Sequence, residues 1–150
     1  MSFAADFPDL YANMNSDERD ARAVIGSDQC IVDQQWFFIR GCLEIPIIAC
    51  DEPFLWGIWA SVCEDVFDEI SDSWEQRGRE NLHDPFKGRL GNSLKVYPET
   101  LNLKRTIRMQ PVGTRPLFIV EDTELPLAIE QKLCITPTAA MELASLLLHA

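Results

Sequence analysis

The stretch Phe54 to Val62 constrains the fold more than any other, because its apolar side chains fall at every second position. Phe54, Trp56, Ile58 and Ala60 would share one face, and the aromatic and β-branched content favours a strand. The period then changes. Val66, Phe67, Ile70 and Trp74 recur at three- and four-residue spacing, which predicts a helix with one apolar stripe. A half-buried strand followed at once by an amphipathic helix obliges both kinds of element to share a core.

The flanking segments extend this pattern. The N-terminal arm through Asn13 reads as irregular, with Phe7, Leu10 and Tyr11 to pin it down. A helix begins near Asn15, where Glu18 three residues later completes a capping box, and it runs to a left-handed cap at Gly26. Cys30-Ile31-Val32 and Trp36-Phe37-Phe38-Ile39 flank Asp33-Gln34-Gln35 as a hairpin. Leu43 to Ile48 reads as a separate strand, with Pro46 marking an edge or bulge. Residues 77–95 carry Gly78, Pro85, Gly88 and Gly91 and read as a long loop.

Residues 100–110 alternate again. Leu101, Leu103, Ile107 and Met109 point one way, against Lys104, Thr106 and Arg108 on a wet face. A further strand follows over residues 115–121, then a short helix over 126–133. Thr136-Pro137 caps a last helix ending near Leu148. The order of helix, strands, helix, strands and helices indicates an α+β fold with a largely antiparallel sheet and flanking helices.

With 150 residues and no repeat or linker, the chain fits a single domain, residues 1–150. Residues 1–10 carry Asp6 and Asp9, with neither a basic region nor a long apolar run, so no signal peptide or membrane segment is expected. The five cysteines, Cys30, Cys42, Cys50, Cys63 and Cys134, include no C-x-x-C pair. They are read as reduced structural thiols of a cytoplasmic protein, with no metal and no cofactor expected.

Charge is more informative. The net charge of −11 conceals an asymmetry: residues 1–75 hold 16 acidic and 3 basic side chains, whereas residues 76–150 hold 8 and 10. An acidic surface repels nucleic acid and speeds association with basic proteins. On the predicted helix, Glu64, Asp65, Asp68, Glu69, Asp72 and Glu75 have no basic neighbour before Arg77. Like charges at i,i+4 each cost a few tenths of a kcal/mol. Six uncompensated acids exceed what solubility requires, and a cationic partner would explain them. Hard-cation binding and a merely solvated face are the competing accounts. Lys104, Arg105 and Arg108 are expected to pair internally with acids of the first half.

Catalytic signals are sparse. His83 and His149 are the only histidines, and none of the familiar nucleophile, phosphate-loop or zinc-protease motifs occurs. His83-Asp84 sits in a loop and offers the one adjacent His-Asp pair. Arg40 follows an apolar run and needs a carboxylate, with Glu44 the expected partner.

Phe38-Ile39-Arg40-Gly41, Leu43-Glu44-Ile45-Pro46, Phe54 with Trp56-Gly57 and Trp59, Tyr97-Pro98 with Thr100 and Leu103, Arg115-Pro116 and Pro126-Leu127-Ala128 with Glu130-Gln131 occur in this order. Together they resemble the bacterial domain of unknown function 2199 family over residues 6–135. The family label assigns no activity. Members often begin with a Cys-x-x-Cys segment and often place His before Pro-Leu-Ala. This chain has no such segment and has Leu125 at that position, so neither a zinc site nor a histidine role is carried over.

Two functional expectations follow. The first is a non-catalytic acidic domain that binds a basic protein, most concretely an immunity protein neutralising a cationic toxin such as a nuclease. Its partner-binding residues would be Glu64, Asp65, Asp68, Glu69, Asp72, Trp74 and Glu75. The second is a small enzyme or ligand-binding domain with a pocket at Arg40, Glu44, His83 and Asp84. A homodimer is compatible with either.

Overall fold

The computed structural model describes residues 2–92, 94, 104–120, 127, 130, 131 and 135–148. In chain order these form β1 (Ser2–Ala4), α1 (Asp9–Ala12), α2 (Ser16–Arg22), β2 (Ala23–Ile25), β3 (Gln29–Val32) and β4 (Trp36–Ile45). There follow β5 (Phe54–Val62), α3 (Glu64–Asp72), a 3-10 turn (Arg79–Asn81), β6 (Phe86–Leu90), β7 (Lys104–Arg108), β8 (Leu117–Val120) and α4 (Pro137–Leu148).

The two long strands organise everything else. β4 and β5 pair antiparallel from Phe37↔Val62 to Ile45↔Phe54, and each is long enough to hold two neighbours on its other edge. β4 takes β3 along its first half and β8 at Cys42 and Leu43. β5 takes β1 at Leu55–Gly57 and β6 at Ala60 and Ser61. The β6–β7 and β7–β8 pairs complete a ring, so β4, β5, β6, β7 and β8 close into a five-stranded barrel. Strands of alternating direction cannot close an odd-numbered ring with antiparallel pairs alone. The β4–β8 seam is accordingly parallel.

Closure puts one face of every barrel strand indoors. Leu43, Ile45, Phe54, Trp56, Ile58, Leu90, Ile107 and Phe118 are fully buried there, with Ile135 and Ala140 of the C-terminal segment against them. Outside the barrel, Tyr11 and Met14 cover Cys30, Val32, Phe38 and Trp59. Phe67 and Ile70 of α3 cover Phe37, Ile39 and Met109.

The fold class is α+β as expected, but the sheet is a closed barrel rather than an open layer with helices beside it. The Phe54–Val62 strand has the expected bounds and the expected buried face. Asn15 accepts from the Glu18 amide at 2.9 Å while Glu18 accepts from the Asn15 amide at 3.1 Å, completing the expected capping box. Thr136 Oγ1 accepts from the Ala139 amide at 3.1 Å at the start of α4.

Several expectations are corrected. The arm before Asn13 is not irregular, since it holds β1 and α1. The helix begun at Asn15 stops at Arg22, because Ala23–Ile25 gain more by pairing with β3, and Gly26 is not left-handed. Left-handed geometry lies instead at Asp33 and Gln34, with φ of 55° and 54°, where the β3–β4 hairpin turns. The strand expected over residues 43–48 is the second half of β4, ending before Pro46. The supposed loop at residues 77–95 contains β6, paired to β5 and β7 despite Gly88. In the strand expected over residues 100–110, only Lys104 onward is described, and most of the short helix at 126–133, Cys134 and His149 also lie outside the described residues.

Candidate functional site

α3 exists because Phe67 and Ile70 bury themselves against the barrel. That fixes its opposite side to solvent, and Glu64, Asp65, Asp68, Glu69, Asp72 and Glu75 are all exposed. Among the described residues none of these six carboxylates makes an ion pair. Glu64 and Asp65 suit the positive amino end of the helix. Asp68, Glu69 and Asp72 do not, since they run towards the negative carboxyl end, and no basic residue occupies the last turn. The segment accumulates repulsion that local folding does not require.

At its carboxyl end this acidic surface opens onto a cleft of about 500 Å3 that Trp74 and Glu75 share with Asp28, Cys42, Arg79 and Arg115. Arg79 frames it. The side chain is buried and spends its donors on four backbone carbonyls, those of Trp74 (2.7 Å), Gln110 (2.7 Å), Pro111 (3.3 Å) and Thr114 (2.7 Å). Its guanidinium also lies 4.7 Å from the centre of the Trp74 ring. Burial lowers its affinity for the proton, opposed by Glu75, Glu80 and Asp28 nearby. Arg79 therefore ties the end of α3 to the loop before β8. Arg115 Nε donates to Asp28 at 2.9 Å across the cleft. Burial raises the Cys42 thiol above its ordinary range, so that sulfur is a poor nucleophile at neutral pH.

The other predicted residues lie apart. Arg40 donates to the carbonyls of Ala5 (3.2 Å) and Ser27 (3.3 Å), and its guanidinium is 5.5 Å from the Trp59 ring. Its carboxylate neighbour is Asp6, at 3.8 Å, not Glu44, which lies four residues along an extended strand, about 13 Å away. Arg40 thus fastens the N-terminal segment to the sheet. Glu44 offers its backbone carbonyl to Gln131 at 3.4 Å. His83 belongs to the α3 side, its Nε2 3.1 Å from Ser73 Oγ and its ring 5.2 Å from that of Phe86. The buried Ser73 hydroxyl also lies 3.0 Å from the Glu69 carbonyl. This is a clasp on the end of α3. Asp84 is exposed beside it. Among the described residues, Arg40, Glu44, His83 and Asp84 line neither the cleft beside Trp74 nor the cavities at Trp36 and at Arg22.

Sequence reasoning missed Asp28, Cys42, Arg79 and Arg115 as neighbours of Trp74. Only the Arg115-Pro116 motif hinted at one of them, because the four come from different strands and loops. Among the described residues no group of three or more His, Cys, Asp or Glu side chains could hold a metal ion. Likewise no helix there is long and apolar enough to cross a membrane.

Residues 1–135 match the family described as "Uncharacterized protein conserved in bacteria (DUF2199)". The chain belongs to that family. The match spans the whole barrel, so the ring of five strands and α3 are within the DUF2199 unit, whereas α4 follows it. No curated protein and no solved structure matches this DUF2199 chain.

Proposed function

We propose that this DUF2199 protein is a non-catalytic acidic binding domain whose α3 surface receives a basic protein. The concrete form is a bacterial immunity protein that neutralises a cationic toxin such as a nuclease. The observation that carries this reading is the exposed run of Glu64, Asp65, Asp68, Glu69, Asp72 and Glu75, without an ion pair among the described residues, on a helix firmly seated by Phe67 and Ile70. A rigid surface of one sign steers an oppositely charged partner and fixes its register. The half-buried Trp74 at the end of the run supplies an aromatic anchor beside the cleft. Action in the cytoplasm accords with the free thiols of Cys30, Cys42, Cys50 and Cys63.

The test is affinity capture from a lysate of the native host at low and high salt. The wild-type chain is compared with a variant carrying Asp68→Ser, Glu69→Ser and Asp72→Ser. A control of equal charge carries Asp20→Ser, Asp51→Ser and Glu52→Ser, which are exposed elsewhere. The reading expects one basic protein captured at low salt by the wild type and the control but not by the α3 variant. A partner retained equally by all three, or an acidic one, would refute it.

A further inference from the structure

The closed barrel holds a positive charge on its inner side. Arg105 is the second residue of β7, and strand parity sends its side chain inwards with Ile107. It is fully buried. In register it stands between Gly88 of β6 and Val120 of β8. Two residues along those strands on the same face come Leu90 and Phe118, both buried. None of these neighbours is acidic, and among the described residues no carboxylate forms an ion pair with Arg105.

Its hydrogen bonding is incomplete. Nη2 donates to the Arg89 carbonyl, and the guanidinium lies 4.7 Å from the centre of the Phe118 ring. Nε and Nη1 are buried and have no hydrogen-bond partner among the described residues. Arg79, also fully buried, shows the alternative: all three of its nitrogens donate to backbone carbonyls. A buried, unpaired charge costs several kcal/mol, a large share of the stability of any domain. Orphaned buried donors of this kind call for a bound water or ion.

We propose that Arg105 holds a small monovalent anion, of the size of chloride, inside the barrel. Water would satisfy a donor and leave the charge uncompensated, whereas one anion answers both needs. Hydrogen bonds from a charged donor are about twice as strong as neutral ones, and a low-dielectric interior strengthens them further. Size follows from the surroundings. Arg105 lines neither the cleft beside Trp74 nor the cavities at Trp36 and at Arg22, so the anion must fit among packed side chains. The site does not depend on the basic-partner reading, since α3 packs on the outside of the barrel.

The test is thermal unfolding of the full-length protein as sodium chloride replaces sodium gluconate at constant ionic strength. From about 1 mM to about 100 mM chloride the melting temperature of the wild type should rise by about 4 °C or more. Arg105→Met should start above the wild type without chloride and rise by less than about 1 °C, so that the gap closes. Inorganic phosphate in place of chloride should not close it. Crystals of the wild type grown in bromide give a readout that needs no variant, with an anomalous peak expected beside the Arg105 guanidinium. An equal chloride response in both proteins, no response in either, or a water molecule at the guanidinium in the bromide crystals would each overturn the proposal.

Discussion

Gly41 sits in the middle of β4, where the barrel closes on β8, and Gly41→Ala should break that seam. A methyl built there would collide with the edge of the Phe118 ring and stand 2.7 Å from the Pro116 carbonyl oxygen. The ring belongs to a fully buried residue of the barrel core. The carbonyl is backbone, and it accepts the Cys42 amide at 2.9 Å beside the parallel β4–β8 pairing. Neither can retreat to the 3.4 Å of ordinary contact without opening the seam. Overpacking of this kind costs about 1–3 kcal/mol, and a weakened closing hydrogen bond adds about 1 kcal/mol. Alanine returns about 0.5–1 kcal/mol through its better strand entropy. The net loss is about 2 kcal/mol, or a melting temperature lower by about 4–8 °C for a domain of this size. Urea unfolding followed by tryptophan fluorescence measures it, with Gly26→Ala as the control. A methyl at Gly26 meets nothing closer than the Gln29 carbonyl at 3.9 Å, and it should be neutral or slightly stabilising. Gly41→Ala as stable as Gly26→Ala would refute the closed seam.

Other expectations concern charge and caps. Arg105 is fully buried, with Nε and Nη1 lacking hydrogen-bond partners among the described residues, and burial pushes its pKa down to about 9. Arg105→Met should therefore stabilise the fold by about 1 kcal/mol or more at pH 7. Because the unfolded guanidinium keeps its proton to higher pH, the wild type should gain stability as pH rises through about 9, and Arg105→Met should lose that slope in urea titrations. Arg79→Met strips four carbonyls of their donor and should cost about 3 kcal/mol or more by chemical unfolding. Asn15→Ala dissolves the capping box of α2 and should cost about 1 kcal/mol in the same assay.

What the sequence discloses is what depends on neighbours along the chain. The alternation from Phe54, the three- and four-residue spacing from Val66, and the caps at Asn15 and Thr136 are local signals, and each element stands where those signals put it. Pairing with distant strands decides the rest. Ala23–Ile25 look like the end of a helix until β3 is placed beside them. Phe86–Leu90 look like loop because Pro85 and Gly88 mask a strand that β5 and β7 hold on either side. Nothing local announces that Cys42 and Leu43 will meet Leu117 and Phe118, yet that contact turns a sheet into a barrel.

The same division applies to the sites. The acidic run of α3 is legible because six carboxylates fall within twelve residues of one helical segment. The placement of Arg105 shows the limit of that reading: parity puts it with Ile107 on the buried face, although its charge suggested a surface or an ion pair. Its guanidinium instead lies 4.7 Å from the Phe118 ring and touches the Arg89 carbonyl. Lys104 and Arg108 are exposed and, among the described residues, make no ion pair with the acids of the first half expected to pair with them.

The central claim is that the surface of α3 is where a basic partner lands. Amide hydrogen exchange on the chain alone and bound to its captured partner measures this most directly. Slower exchange concentrated in residues 64–75 and the adjoining segment 111–115, and lost at high salt, is the predicted result. Protection confined to other surfaces, with residues 64–75 exchanging as fast as in the free chain, would contradict the account.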